Sequence, residues 1–316
     1  MELLLYVPLF LLGVYLVVQA TERFVEGLLG SAVLSGVSAF ALGVVFGGFD
    51  PENLAAGIAG GVNDLPGVAL GTVLGSSVFL LTIALGVAGV LVPLRVEVPR
   101  SHIFLTLASP VPLLLLSLDN ELSRWDGLVL LVLFFPAMGY ILAASRGQHR
   151  AYLHKDEVDE VVKEREKRPR WFFPALMVGG LAVIAGAAQL VGWTAHGIVD
   201  EVGISDTVFG MVFVAAAVSF EEIARETVPA YRGHPEISIG NILGTVLFFV
   251  LFNIGIIAMI APLAVDDIVL TFYWPFLMGT LAVVSVFLLR KSIGRPEGAI
   301  LLAIYPLYLA LAVLLD

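Results

Sequence analysis

Apolar runs of about 20 residues recur along almost the whole chain, each long enough to cross ~30 Å of hydrocarbon. No other feature constrains folding as much. A bilayer offers no water to unsatisfied backbone N–H and C=O groups, so spans of this length must be helices that close their own hydrogen bonds. Of the 316 residues, 59% are hydrophobic and only 14% are charged, where ordinary domains carry ~25% charged residues. The chain reads as an all-α, polytopic membrane protein. Ten spans fit, at roughly Leu3–Ala20, Ser38–Val62, Pro66–Val92, His102–Leu118, Gly127–Ala144, Trp171–Trp193, Thr207–Ala230, Ile237–Ala261, Ile268–Leu289 and Gly298–Leu315. The first run has no basic residues ahead of it and follows Glu2, so it is read as a span and not as a leader.

Basic residues orient such a chain, because Lys and Arg accumulate in cytoplasmic loops. With the N-terminus outside, Arg124 is the one basic residue in an outer loop and Arg225 lies within a span, leaving 15 of the 17 inside. The mixed-charge segment 146–170 then becomes a cytoplasmic linker between five-span halves at 1–145 and 171–316, in a plasma-membrane protein. There is no cysteine, which removes disulfides and thiolate sites, and the net charge of −10 argues against nucleic-acid partners. No nucleotide-binding Gly-x-x-x-x-Gly-Lys-Ser/Thr motif occurs.

Two of the spans carry charge. Asp50 and Glu52 interrupt the second, and Glu221, Glu222, Arg225 and Glu226 interrupt the seventh. Each charge at bilayer depth costs ~2.5–3.5 kcal/mol even on a lenient insertion scale, which makes such residues functional candidates. They also sit at matched places. A shift of 169 residues aligns the halves without a gap from about Leu34 to Leu94, setting Phe40 on Phe209, Pro66 on Pro235, Gly71 on Gly240, Gly75 on Gly244 and Pro93-Leu94 on Pro262-Leu263. Because each half has five spans, an odd number, the repeats must face opposite ways. Inverted repeats are the architecture of secondary transporters, which bind substrate near the midplane on broken helices.

The motifs Gly203-Ile-Ser-Asp-Thr-Val-Phe-Gly210, Ala217-Val-Ser-Phe-Glu-Glu222 and Ile239-Gly-Asn-Ile-Leu-Gly-Thr245 resemble the second alpha-repeat of the cation/calcium exchanger superfamily. Gly48–Asn53 and Gly71-Thr-Val-Leu-Gly-Ser76 resemble the first. The resemblance implies a ten-helix exchanger fold of two inverted repeats. It also implies that Glu222 takes the carboxylate role of the family's Pro-Glu motif, with Glu221 where the family has proline. In the first repeat the family spacing lands on Asn53, while Pro51-Glu52 matches the motif with one residue inserted, and both Glu52 and Asn53 stay in contention. Ser76 and Thr245 match hydroxyl positions, and Asp50 and Ser219 match the motif serines. Leu80 and Phe249 stand where the family's second-helix ligands are expected, and neither side chain binds a cation.

Calcium takes 6–8 oxygen ligands. Asp50, Glu52, Asn53, Ser76, Ser219, Glu222 and Thr245 offer them, with backbone carbonyls freed at Gly47-Gly48, Pro51 and Pro229. Arg225 either points inward and neutralises Glu222 or Glu221, or pairs with Glu226 on the helix side at the inner end of the span. The expected function is secondary antiport of sodium against calcium, with inorganic cations and lipid as the partners and no cofactor beyond the transported ion. Two other readings keep the fold: exchange coupled to protons, and a transport-impaired relative. A fourth, an intramembrane metalloprotease built on Glu221-Glu222 and Arg225, has only His196-x-x-x-Asp200 as its second motif.

Overall fold

The computed structural model describes residues 3–34, 50–145, 168–169, 171–219, 222–231, 233 and 235–315. Most of the linker 146–170, the glycines Gly47-Gly48 and the site candidate Glu221 therefore lie outside the described residues. The rest is helical. In chain order it forms α1 (Leu3–Leu34), α2 (Pro51–Val62), α3 (Pro66–Leu91), α4 (Arg100–Leu116), α5 (Arg124–Ser145) and α6 (Phe172–Val202). The remaining helices are α7 (Asp206–Ser219), α8 (Glu222–Tyr231), α9 (Pro235–Leu247, carried through a π-helical turn at Phe248–Asn253 to Ile254–Ile260), α10 (Val269–Leu289) and α11 (Arg295–Leu315). Among the described residues seven helices are long and apolar enough to cross a membrane, or eight with α7 and α8 counted as one span, bent by 43° at its break. The shorter apolar α4 and the 12-residue α2 stand at the other two positions of a ten-helix plan.

The first and seventh spans depart from the sequence reading. Helix α1 does not stop at Ala20 but runs 32 residues, about 48 Å at 1.5 Å per residue. Its Arg23–Glu26 ion pair (3.0 Å) therefore lies within the helix and not at its end. Its length is matched by the 31-residue α6, along which it packs. Two apolar helices that each exceed the hydrocarbon thickness can bury their excess against one another and tilt. The seventh span breaks between Ser219 and Glu222, and not at Pro229, which is accommodated inside α8.

The halves interlock. Helices α3 and α9 are the most enclosed spans, with 83% and 78% of their apolar windows buried. Matched elements make matched contacts: α2 packs on the end of α9 and α8 on the end of α3, while α5 packs on α9 as α11 does on α3. At one end, Glu121–Leu122 pairs antiparallel with Leu263–Ala264. Leu94, the repeat partner of Leu263, bridges to Ile293. Each short bridge joins one half to the other, as two repeats of opposite orientation require.

The central crossing is α3 on α7. Gly67, Gly71 and Gly75 recur every four residues, a spacing that puts them on one face of α3, and that face lies directly on the α7 backbone. A methyl group on Gly71 would overlap the main chain of Gly210 and Met211, and one on Gly75 the carbonyl of Met211. Membrane helices have no hydrophobic drive to associate, so small residues that allow close backbone approach hold them together. We expect Gly71→Val to destabilise the protein by ~1–3 kcal/mol or more, since the added bulk meets backbone that cannot move aside. Gly279→Ala, at a glycine with open space around it, should leave the melting temperature unchanged or slightly raised. Thermal unfolding in detergent checks the pair.

Candidate cation site

The first turn of α2 builds one side of the site. Asp50 caps the helix: its Oδ1 accepts a hydrogen bond from the Asn53 main-chain N–H at 2.9 Å, and Pro51 follows at the first helical position. Asp is a favoured N-cap because its carboxylate satisfies an otherwise orphaned N–H, and proline suits the next position because it has no N–H to lose. The second carboxylate oxygen of Asp50 accepts from Asn53 Nδ2 at 2.7 Å. That contact fixes the amide orientation, since an ionised carboxylate only accepts.

Asn53 thereby turns its Oδ1 toward α3, where Ser76 Oγ donates to it at 2.5 Å. Its Nδ2 also reaches Ser219 Oγ, at 3.5 Å, on the last residue of α7. Ser76 in turn lies 3.4 Å from the Ala215 carbonyl of α7. One amide thus ties together α2, α3 and α7, and so both repeats. Asp50, Asn53, Ser76 and Ser219 are all buried. Glu52 is buried as well but takes no part in these four hydrogen bonds. Of the two first-repeat residues in contention, Asn53 is the one these bonds run through.

The second repeat does not copy this arrangement. Glu222, matched to Asn53, is fully buried, and its Oε1 accepts from Arg225 Nη1 at 2.7 Å, within an ion pair. Thr245, matched to Ser76, is buried, but its Oγ1 makes no hydrogen bond among the described residues. The charge-assisted bond to a guanidinium is roughly twice as strong as a neutral one, which accounts for the broken symmetry. The sequence reading that set Arg225 against Glu226 as a helix-side pair at the inner end of the span is corrected here. Arg225 pairs with Glu222, and Glu226 is buried, with its Oε1 accepting from Asn241 Nδ2 at 2.5 Å. Asn241 and Glu226 were not among the residues singled out as candidates; the 169-residue shift, which sets Thr72 and Gly57 opposite them, was the signal available.

The sodium/calcium exchanger protein family model matches residues 5–143 and 172–314. The chain belongs to this family. CaxA of Alkalimonas amylolytica is 27% identical over 305 residues, covering 92% of this chain and 93% of its own. The sodium/calcium exchanger MaX1 of Methanosarcina acetivorans is 24% identical, covering 95% and 96%. Among solved structures, the sodium-calcium exchanger NCX_Mj superposes with a TM-score of 0.58 at 24% identity, over 97% of this chain and 98% of that one. This likeness shows the fold, a ten-helix membrane protein of two repeats.

Against that family background the apolar pair Leu80 and Phe249 stands out. Both side chains are completely buried, and both fall in π-helical turns, at Leu80–Ala84 and Phe248–Asn253. Such turns are rare and concentrate at functional sites. Both repeats keep this irregular backbone, while Leu80 and Phe249 themselves carry no ligand atom. The oxygens of the site come from α2, α7, α8 and the earlier parts of α3 and α9. Replacing Asn53 by Leu should cost ~1–3 kcal/mol, because it removes the amide bonds to the buried Asp50 Oδ2 and Ser76 Oγ. An unaltered melting temperature for Asn53→Leu would contradict the network described above.

Proposed function

We propose that this exchanger-family protein is a secondary cation antiporter that works by alternating access at the midplane cluster, with sodium against calcium as the exchanged pair. The observation that carries this reading is the Asn53 amide, which joins buried polar groups of both repeats at the junction of α2, α3 and α7. Inverted-repeat transporters place their ion site at that kind of junction, and rocking one repeat against the other opens it to alternate sides. Glu222, Asn53, Ser76, Ser219 and Thr245 supply the oxygens, with Asp50 holding Asn53 in place and Glu52 and Glu221 adjoining. The relatives named as exchangers support the same chemistry. The distribution of basic residues supports an N-terminus outside and segment 146–170 inside, in the plasma membrane.

A second reading, exchange coupled to protons, is favoured by the Glu222–Arg225 ion pair. A guanidinium already neutralises the carboxylate that would balance a divalent cation. The site then carries less negative charge than calcium asks for, and calcium must compete with Arg225 for Glu222.

Radiotracer flux into proteoliposomes tests both. Calcium-45 uptake against a sodium gradient should be present in the wild type and fall at least ~10-fold in Glu222→Ala, the equivalent of about 1.4 kcal/mol of lost binding. Absence of gradient-driven flux of any cation, or flux indifferent to Glu222→Ala, overturns the antiport reading. Arg225→Gln should tighten calcium binding by ~10-fold or more by removing the competing charge, measured by isothermal titration in detergent.

A further inference from the structure

Glu226 and Asn241 occupy the places that Gly57 and Thr72 hold in the first repeat. Both pairs sit where neighbouring helices meet. A methyl group added to Gly57 would lie 3.0 Å from Thr72 Oγ1 and would overlap Cδ1 of Ile257, so the space beside Gly57 is filled by the isoleucine. The repeat counterpart of Ile257 is Ala88, on the end of α3 that packs against α8. Glycine facing isoleucine in one repeat thus corresponds to glutamate and alanine on the matching pair of elements in the other. A carboxyl stands where the first repeat has no ionisable group.

The surroundings of Glu226 limit what it can bind. It is completely buried, and its Oε1 accepts from Asn241 Nδ2 at 2.5 Å. Its Oε2 and the Oδ1 of Asn241 make no hydrogen bond among the described residues. Helix α8 packs on α9 and on the later part of α3. From Leu80 to Leu91 that part of α3 has no ionisable residue. The only ionisable residue of α9 is Glu236, whose side chain lies outside those described. On α8 itself Glu222 has the same sign as Glu226, and Arg225 is already bonded to Glu222. Burying a bare carboxylate costs several kcal/mol. A calcium ion needs 6–8 oxygens, and Glu226 with Asn241 offers three side-chain oxygens. A proton needs one.

We propose that Glu226 is a proton-binding residue of this transporter, positioned by Asn241 one helical turn beyond Glu222 toward the α8–α9 turn. The inference rests on the antiport reading and deepens it by naming a proton as one of the exchanged ions. The proton is taken from water at one face as an O–H bond on Oε2, and is given back to water at the other as access alternates. No other bond forms or breaks. Only one repeat carries the station, so the two half-cycles differ: one half of the pathway holds a protonatable carboxyl and its mirror counterpart is sealed by Ile257.

The test uses proteoliposomes with an entrapped pH-sensitive dye, the membrane voltage clamped by potassium and valinomycin, and an imposed sodium or calcium gradient. In the wild type, cation movement should be accompanied by proton movement in the opposite direction. Glu226→Gln should reduce the dye signal at least ~10-fold and flatten the pH dependence of calcium-45 uptake, and Glu226→Asp should restore part of both. If Glu226→Gln fails to fold, the double variant Glu226→Gly with Ala88→Ile, which reproduces the packing of the first repeat, should show the same loss. Cation exchange with no proton signal in the wild type, or a proton signal that survives these substitutions, overturns the proposal while leaving antiport standing. No cation flux and no proton signal in the wild type overturns the antiport reading itself, and this inference with it.

Discussion

The structure depends on the backbone contact between α3 and α7. Glycines at 67, 71 and 75 let the two helices approach until main chain meets main chain. That approach places Ser76, the next residue after Gly75, beside the Ala215 carbonyl and within reach of both Asn53 and the end of α7. A wider crossing would separate the polar groups that the two repeats contribute, and each would then be an unsatisfied group in a medium without water. Packing and polar satisfaction are therefore one problem here, solved by the absence of side chains on one face of α3.

The site departs from two-fold symmetry at each place where the matched residues differ in charge. Asn53 is a neutral amide with donors and an acceptor, so it can bridge Asp50, Ser76 and Ser219 at once. Glu222, at the matched position, is acceptor-only when ionised and takes Arg225. The N-terminus of α2 is capped by Asp50, whereas the matched position before α8 holds Ser219, which lies in the Asn53 network. Two helices that read as equivalent in sequence thus present different electrostatic faces to the midplane: a neutral hydrogen-bonding hub on one side, an ion pair followed by a buried carboxyl on the other.

Much of the fold was legible before any coordinates. Run lengths located the spans, and the alignment at 169 residues located the repeats, because both follow from local composition and spacing. Helix ends were less legible. Helix α1 continues past the charged residues Glu22, Arg23 and Glu26 because α6, equally long, runs beside it, and a partner helix has no signature in a local window. Pro229 looked like a break but lies inside α8, while the break itself came at Ser219–Glu222, where no proline marks it.

The sequence by itself determined that the chain is helical in a membrane and that its halves are inverted, and it marked carboxylates in the second span and in its repeat counterpart. These follow from the length of apolar runs, from the parity of five and from the cost of charge in hydrocarbon. Only the tertiary structure joined Asn53 to Asp50, Ser76 and Ser219, paired Arg225 with Glu222 and gave Glu226 to Asn241. Neighbours on one helix turn compete for partners that come from other helices, and hydrogen-bond geometry across those helices settles the competition. Spacing along the chain puts each such group within reach of the site but does not choose its partner.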